Sequence, residues 1–250
     1  MKCKWQITAG AGSRLKFLKE LGSRFGIMKA LRHAAFRLVN KLLHFDCLHV
    51  MVLDRENLRP LDPAIAGRLS TKIATLEELK EMKKQGGWGL PENAVEYFNR
   101  GDTCLLSYVD NDLAGYTWAL ESGCPTLVPG LILSLPHEYV YNFCDFTHPD
   151  FRGYGLQSFR HHALLNHPLW RDRKGLLDYV VHTNHSSRRG HYKGGYRRAA
   201  KIYIIGWGAR VYAHLGRNLL DMGIKRTDNV KLDLMQEMRI QSAAGEHGGL

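Results

Sequence analysis

The sequence predicts a mixed α/β domain: a layered sheet with helices on both faces, preceded by a basic amphipathic helical segment. Three observations carry this. Apolar runs of strand character recur from His49 onward, separated by stretches with helical spacing. A glycine-bearing turn, HPDFRGYGL at 148–156, joins one such run to a helical pattern. The first 46 residues hold ten Lys/Arg against Glu20 and Asp46, a net +8 of the chain's +11.

Taken in order, Leu15, Leu18, Leu21, Phe25, Met28, Leu31, Ala35, Leu38 and Leu42 recur every three or four positions. That spacing predicts one or two amphipathic helices, loosened at Gly22 and Gly26, with a basic outer face. Residues 49–55 (HVMVLDR) read as a strand, 62–69 and 75–85 as helices, and 85–91 (QGGWGLP) as a loop. Strands over 103–109 and 113–120 flank Asp110-Asn111, a tight hairpin signal. A strand over 139–146 feeds the glycine turn. A helix over 156–166 follows, with Leu156, Phe159, Ala163 and Leu164 on one face. Then come a strand at 176–182, a short helix at 184–193, a strand at 201–207 and a helix at 208–222. The organisation is an extension over 1–46, a main domain over 47–240 and a tail over 241–250 expected to be disordered.

With 250 residues, 44% hydrophobic and 24% charged, the chain can bury a full core. Its five cysteines are scattered and lack C-x-x-C spacing, which speaks against a disulfide framework or a cysteine-based zinc site and for a reducing compartment. The histidines at 161, 162, 167, 182, 185 and 191 have no carboxylate at a ligand-like offset, so no metal is expected. No apolar run reaches the roughly 18 residues of a membrane span. The chain reads as cytoplasmic, with attachment to a membrane's inner face as the variant offered by its basic arm.

The turn raises a chemical question. A strand ending at Thr147, then Arg152-Gly153-Tyr154-Gly155, then a helix, collects free backbone N–H groups at the positive end of a helix dipole. Glycines let an anion approach the main chain, and Arg152 adds a charged donor. The residues alone allow a phosphate cradle or a tight turn that merely wants glycine. P-x-x-R-G-x-G after a strand resembles the acyl-CoA-binding motif of the GNAT superfamily of N-acyltransferases, Arg/Gln-x-x-Gly-x-Gly/Ala. Arg152, Gly153, Tyr154, Gly155 and Leu156 follow that pattern, while Gln157 stands where Gly or Ala is usual. A second motif, behind the strand at 176–182, is similar to the family's later helix: Asn184, Ser187, Gly195 and Tyr196 stand at family positions.

The resemblance spans residues 48–207 and implies a GNAT-like sheet splayed between 139–146 and 176–182. Pantetheine of acetyl-CoA or another acyl-CoA would lie in the splay, contacting Thr147, and the pyrophosphate would rest on the turn. The implied cofactor-binding set is Thr147, Arg152, Gly153, Tyr154, Gly155, Leu156, Gln157, Asn184 and Ser187. A primary amine on a small molecule or sugar would attack the thioester, needing a base for its proton and an acid for the thiolate. Asp145 is the base candidate, with Glu138 and Glu121 as further carboxylates; pairing of Asp145 with Arg152 is the alternative. His191 fills the family's tyrosine position and Tyr192 adjoins it, so either is the acid. Trp88, Tyr116 and Trp118 are candidates for an acceptor pocket, two of the three being expected in the core.

For the basic arm, packing on the sheet, docking on an anionic membrane surface and docking of an acidic acyl carrier stay open. No helix-turn-helix spacing or aromatic-basic stacking motif singles out nucleic acid. The class competing with an enzyme is a GNAT-like module without catalysis, an acyl-CoA-binding or membrane-docking domain.

Overall fold

The structure is a computed structural model and describes residues 19–20, 22–24, 26–42, 44–120, 132–207 and 210–227. Helix α1 (Ile27–Leu42) leads into strand β1 (His44–Asp54). Then follow α2 (Pro63–Ala66), β2 (Leu69–Ile73), α3 (Leu76–Gln85), α4 (Ala94–Asn99), β3 (Thr103–Val109) and β4 (Asp112–Leu120). The second half runs β5 (Ile132–Leu133), β6 (Tyr139–Thr147), α5 (Leu156–Asn166), β7 (Gly175–Val181), α6 (His185–Lys193) and β8 (Arg197–Trp207). It closes with β9 (Arg210–Leu215), α7 (Arg217–Asp221) and β10 (Arg226–Thr227).

Local chemistry sets several boundaries. Thr75 and Glu78 form a reciprocal capping box at the start of α3, satisfying two helix-end donors. Asp62 accepts from the Ala64 amide ahead of α2, with Pro63 in the first turn where its missing N–H does no harm. Asp110 (φ 49°) and Asn111 (φ 73°) turn the β3–β4 hairpin, and positive φ at both central residues matches the twist of the flanking strands.

Among the described residues one sheet has the order β2-β3-β4-β6-β7-β1-β8-β9, and β5 pairs with β10 apart from it. Every neighbouring pair in the large sheet is antiparallel except β6 and β7. On one face Tyr116, Trp118, Tyr139, Tyr141, Phe143 and Tyr179 meet α3 and α4 residues such as Leu79, Met82 and Tyr97. On the other, Met51, Leu53, Val140, Leu176 and Val180 meet Leu164 and Leu165 of α5 and Tyr196. Alternation along each strand divides the side chains between these two cores.

Several expectations need correction. The strand expected from residue 49 begins at His44 and lies between β7 and β8, bonded to both. The expected 62–69 helix is the single turn α2, followed by edge strand β2. The helix expected over 208–222 is β9 followed by the short α7. Helix α1 meets β1, with the Phe36 and Phe45 rings 5.7 Å apart, and Ala30 is buried. Of the apolar stripe whose role the sequence leaves open, Met28, Leu31 and Ala35 face solvent. The calls on residues 1–18 and on the tail lie outside the described residues.

Where β7 begins, Gly175 sits against β1. A Cβ there would lie 2.0 Å from the Leu53 carbonyl oxygen, a backbone atom that cannot step aside. Gly175→Ala is expected to lower stability by about 1–3 kcal/mol, as overpacking does, measured by urea denaturation.

Candidate functional site

The sheet opens at its centre. β6 and β7 pair only at Tyr139–Tyr141 with Gly175–Leu177. Beyond that point β6 stays with β4 as far as Thr147 and β7 stays with β1 as far as Val181. A bulge assists the parting: Cys144 adopts φ 51°, and the β4–β6 register shifts between Tyr116 and Trp118.

The glycine turn lies at the open end of β6. Pro149–Phe151 form a 3₁₀ turn, Gly153 has φ 100°, and Gly155, at the N-cap of α5, has φ 69°. A Cβ at either glycine would meet nothing within 4 Å, so left-handed backbone and not crowding is what calls for glycine there. No side chain caps α5, and Arg152 is exposed beside it. Tyr154 lies under the Arg68 guanidinium, 5.6 Å from the ring centroid, and Leu156 is buried against Val109 and Ala114.

Polar side chains fill the α5–α6 side of the opening. Arg160 is 1% exposed; its Nε donates to Asp145 Oδ1 at 3.0 Å, Nη1 to Ser107 Oγ at 3.0 Å and Nη2 to Thr147 Oγ1 at 3.1 Å. Asn142 Nδ2 donates to Asp145 Oδ2 at 3.2 Å, and Gln157 Nε2 reaches the same oxygen at 3.4 Å. Burial alone pushes the Asp145 carboxyl up, but the Arg160 guanidinium, with His161 beside it, holds it well below the usual carboxylate range. A carboxylate in that state has little affinity for a proton. The partner expected for it, Arg152, is replaced by Arg160.

The β7 arm carries a second pair. His191 is 2% exposed, with Nε2 2.6 Å from Asp178 Oδ2, and Nδ1 donates to the Ser187 carbonyl at 2.7 Å. Burial pulls the imidazole down, but Asp178 and then the Ser187 carbonyl outweigh it and hold His191 above its ordinary value. His161 is pulled down by burial and is neutral. Tyr196 joins the two halves: its hydroxyl lies 3.3 Å from His161 Nε2 and its ring 4.6 Å from that of His191.

The sequence-derived candidates therefore separate. Asp145, Thr147, Gln157 and His191 come together in the opening. Gln157 turns away from the glycine turn, towards Asp145 and Gly190 of α6. Asn184 and Ser187 act on their own helix: the Asn184 side chain accepts from the Ser187 amide at 3.1 Å. Tyr192, next to His191 on α6, is 44% exposed. Tyr116 and Trp118 are core, Trp88 is half-buried against Phe146 and His148, Glu138 is exposed and Glu121 lies outside the described residues. Asn142, Arg160, His161 and Asp178 were missed. Asp178 had a signal, a lone acid in the apolar run LLDYVV.

Neither a protein-family model nor a curated protein matches the chain. Among solved structures it is similar to a GCN5-related N-acetyltransferase from Kribbella flavida at 13% identity and TM-score 0.41, over 76% of this chain and 66% of that one. It is similar to a glucosamine N-acetyltransferase region of a fungal multi-domain GH3 β-N-acetylglucosaminidase at 14% identity and TM-score 0.43, over 70% of this chain and 23% of that one. A functionally unknown conserved protein from Staphylococcus epidermidis is similar at 8% identity and TM-score 0.41, over 77% and 79%. The chain thus spans under two thirds of the Kribbella protein and under a quarter of the fungal one. Likenesses this distant assign no chemistry to the site.

Asp145→Asn leaves Arg160 buried without a counter-charge and is expected to lower stability by about 3–5 kcal/mol. Because folding depresses the Asp145 pKa, its contribution is complete above the ordinary carboxylate range and fades as pH falls below it. Denaturation curves of wild type and variant should accordingly converge in acid.

Proposed function

We propose that the chain is an acyltransferase that moves an acyl group, acetyl first among them, from acyl-CoA to a primary amine. The observation that carries this reading is the parting of β6 from β7 beyond Tyr141 and Leu177. Strand backbone left without a sheet partner can pair with the amides of a pantetheine chain, as an added strand would. The glycine turn supports the diphosphate end: positive-φ glycines in open space, uncapped α5 amides and Arg152 together suit an anion.

In this reading the neutral amine attacks the thioester carbonyl carbon and the carbon–sulfur bond breaks. The amine's proton passes to solvent and the departing thiolate takes one from solvent, while His191, with both ring nitrogens engaged by Asp178 and the Ser187 carbonyl, fastens α6 to β7. Asp145 anchors β6 to α5 and is not the base. Tyr192 is exposed and has no role in this reading. Trp88, half-buried beside His148, borders the acceptor side.

Acetyl-CoA mixed with a panel of small amines and amino sugars is expected to release free thiol. Arg152→Glu should weaken coenzyme A binding by more than about tenfold, ~1.4 kcal/mol, in calorimetry, because it reverses a charge beside the diphosphate. Unchanged affinity removes the turn from the site. Binding without turnover on any amine leaves a non-catalytic acyl-CoA-binding module.

One observation favours a docking role in addition. Ile27, Met28 and Leu31 of α1 are 72%, 61% and 58% exposed, flanked by Lys29 and Arg32. An apolar stripe edged with cations suits an anionic lipid surface. Vesicles containing phosphatidylglycerol should sediment the protein, and Leu31→Glu should release it. Equal sedimentation with neutral vesicles, or none, rejects this role.

A further inference from the structure

Away from the opening the fold gathers three side chains that acyl transfer does not use. Cys47 and His49 stand two apart on β1 and so share a face of the sheet. Leu48 pairs with Val181 of β7, and the next residue, His182, donates its amide N–H to the Cys47 carbonyl at 2.7 Å. A thiol and two imidazoles thereby converge, with their ligand atoms within 4.8 Å of one another. His49 Nε2 and His182 Nδ1 are 2.9 Å apart. Cys47 and His49 are buried and His182 is half-buried.

Two imidazoles and a thiol are the donor types that zinc takes, and their ligand atoms already lie together. The two rings share one hydrogen bond, and His49 Nδ1 is buried with no partner among the described residues. Lys201, Arg188 and Arg198 lie near Cys47. Tetrahedral zinc, with bonds of about 2.0–2.3 Å, sets its ligands roughly 3.3–3.6 Å apart, which these side chains reach with small adjustments.

We infer that Cys47, His49 and His182 form a binding site for a borderline-soft divalent cation of the zinc class. Thiolate and imidazole donors select such a metal over magnesium or calcium. Three protein ligands leave a fourth position, and Lys201, Arg188 and Arg198 favour an anion from solvent there. Bound metal would fasten β1 to the far end of β7 across residues 133 apart in sequence. Spacing along the chain conceals such a set.

The full chain, stripped with a chelator, is to be titrated with Co²⁺ as a spectroscopic stand-in for zinc. The expected result is one equivalent bound, with intense tetrahedral visible bands and a thiolate-to-cobalt charge-transfer band. Cys47→Ser, nearly isosteric, should abolish the charge-transfer band while circular dichroism stays unchanged. His182→Asn should weaken binding at least about tenfold. His137→Ala, at an exposed histidine elsewhere, should change neither. Binding without a thiolate band, an unaltered spectrum in Cys47→Ser, or no binding below millimolar metal overturns the assignment.

Discussion

Two carboxylates on facing strands, each answered by a cation from a different helix, organise the centre of this molecule. Asp145 of β6 is bound by Arg160 of α5, and Asp178 of β7 by His191 of α6. Buried charge persists only when paired and hydrogen-bonded. Each arm of the parted sheet is therefore fastened to its own helix, not to the other arm. Everything else at the site depends on that division. The glycine turn is aimed by the end of β6 and the start of α5, and His191 is aimed by the helix that follows β7.

Much of the fold was legible because it is written in local signals. The β3–β4 hairpin followed from Asp110-Asn111, and the strands at β6 and β7 from apolar runs bounded by turns. The misread parts are those where a partner far along the chain decides. β1 is slotted between β7 and β8, a placement that no property of residues 44–54 encodes by itself. β8 starts at Arg197 in a run, RRAAK, whose charges belong to a strand carrying a polar flank. Residues 208–222 read as one helix, yet Arg210–Leu215 form strand β9. Its strand state comes from the ladder with β8 and not from its own composition.

The site was legible to a different degree. Motif positions located the turn and His191, since glycine at positive φ and a capped helix behind a strand are local requirements. Gly195 is explained in the same way: a Cβ there would meet the Asn57 carbonyl at 2.3 Å. Arg160 and His161 were hidden because polar residues on an amphipathic helix normally face water. Here the helix face Leu156, Arg160, His161, Leu164 and Leu165 is buried, its two polar members meeting the polar side chains of the open sheet. Asp145 and Arg160 are legible only as a pair, and the pair exists only in three dimensions.

Why the opening is lined with charge, when an apolar filling of equal volume would serve stability as well or better, follows from what each lining would permit. Val or Leu in place of Asn142, Asp145 and Asp178 would remove the side chains that tie each arm to its own helix, and with them one bar to closing β6 on β7. The present lining opposes that closure. Burial first, and then Asp145, raise the Asp178 carboxyl, and drawing the arms together would increase that cost. Each carboxylate would also have to release a guanidinium or imidazolium held on a helix that cannot follow both strands. The backbone of β6 beyond Tyr141 is thereby kept available to a partner that is not β7. The open sheet centre is thus held by paired charge, each arm fastened to its own helix.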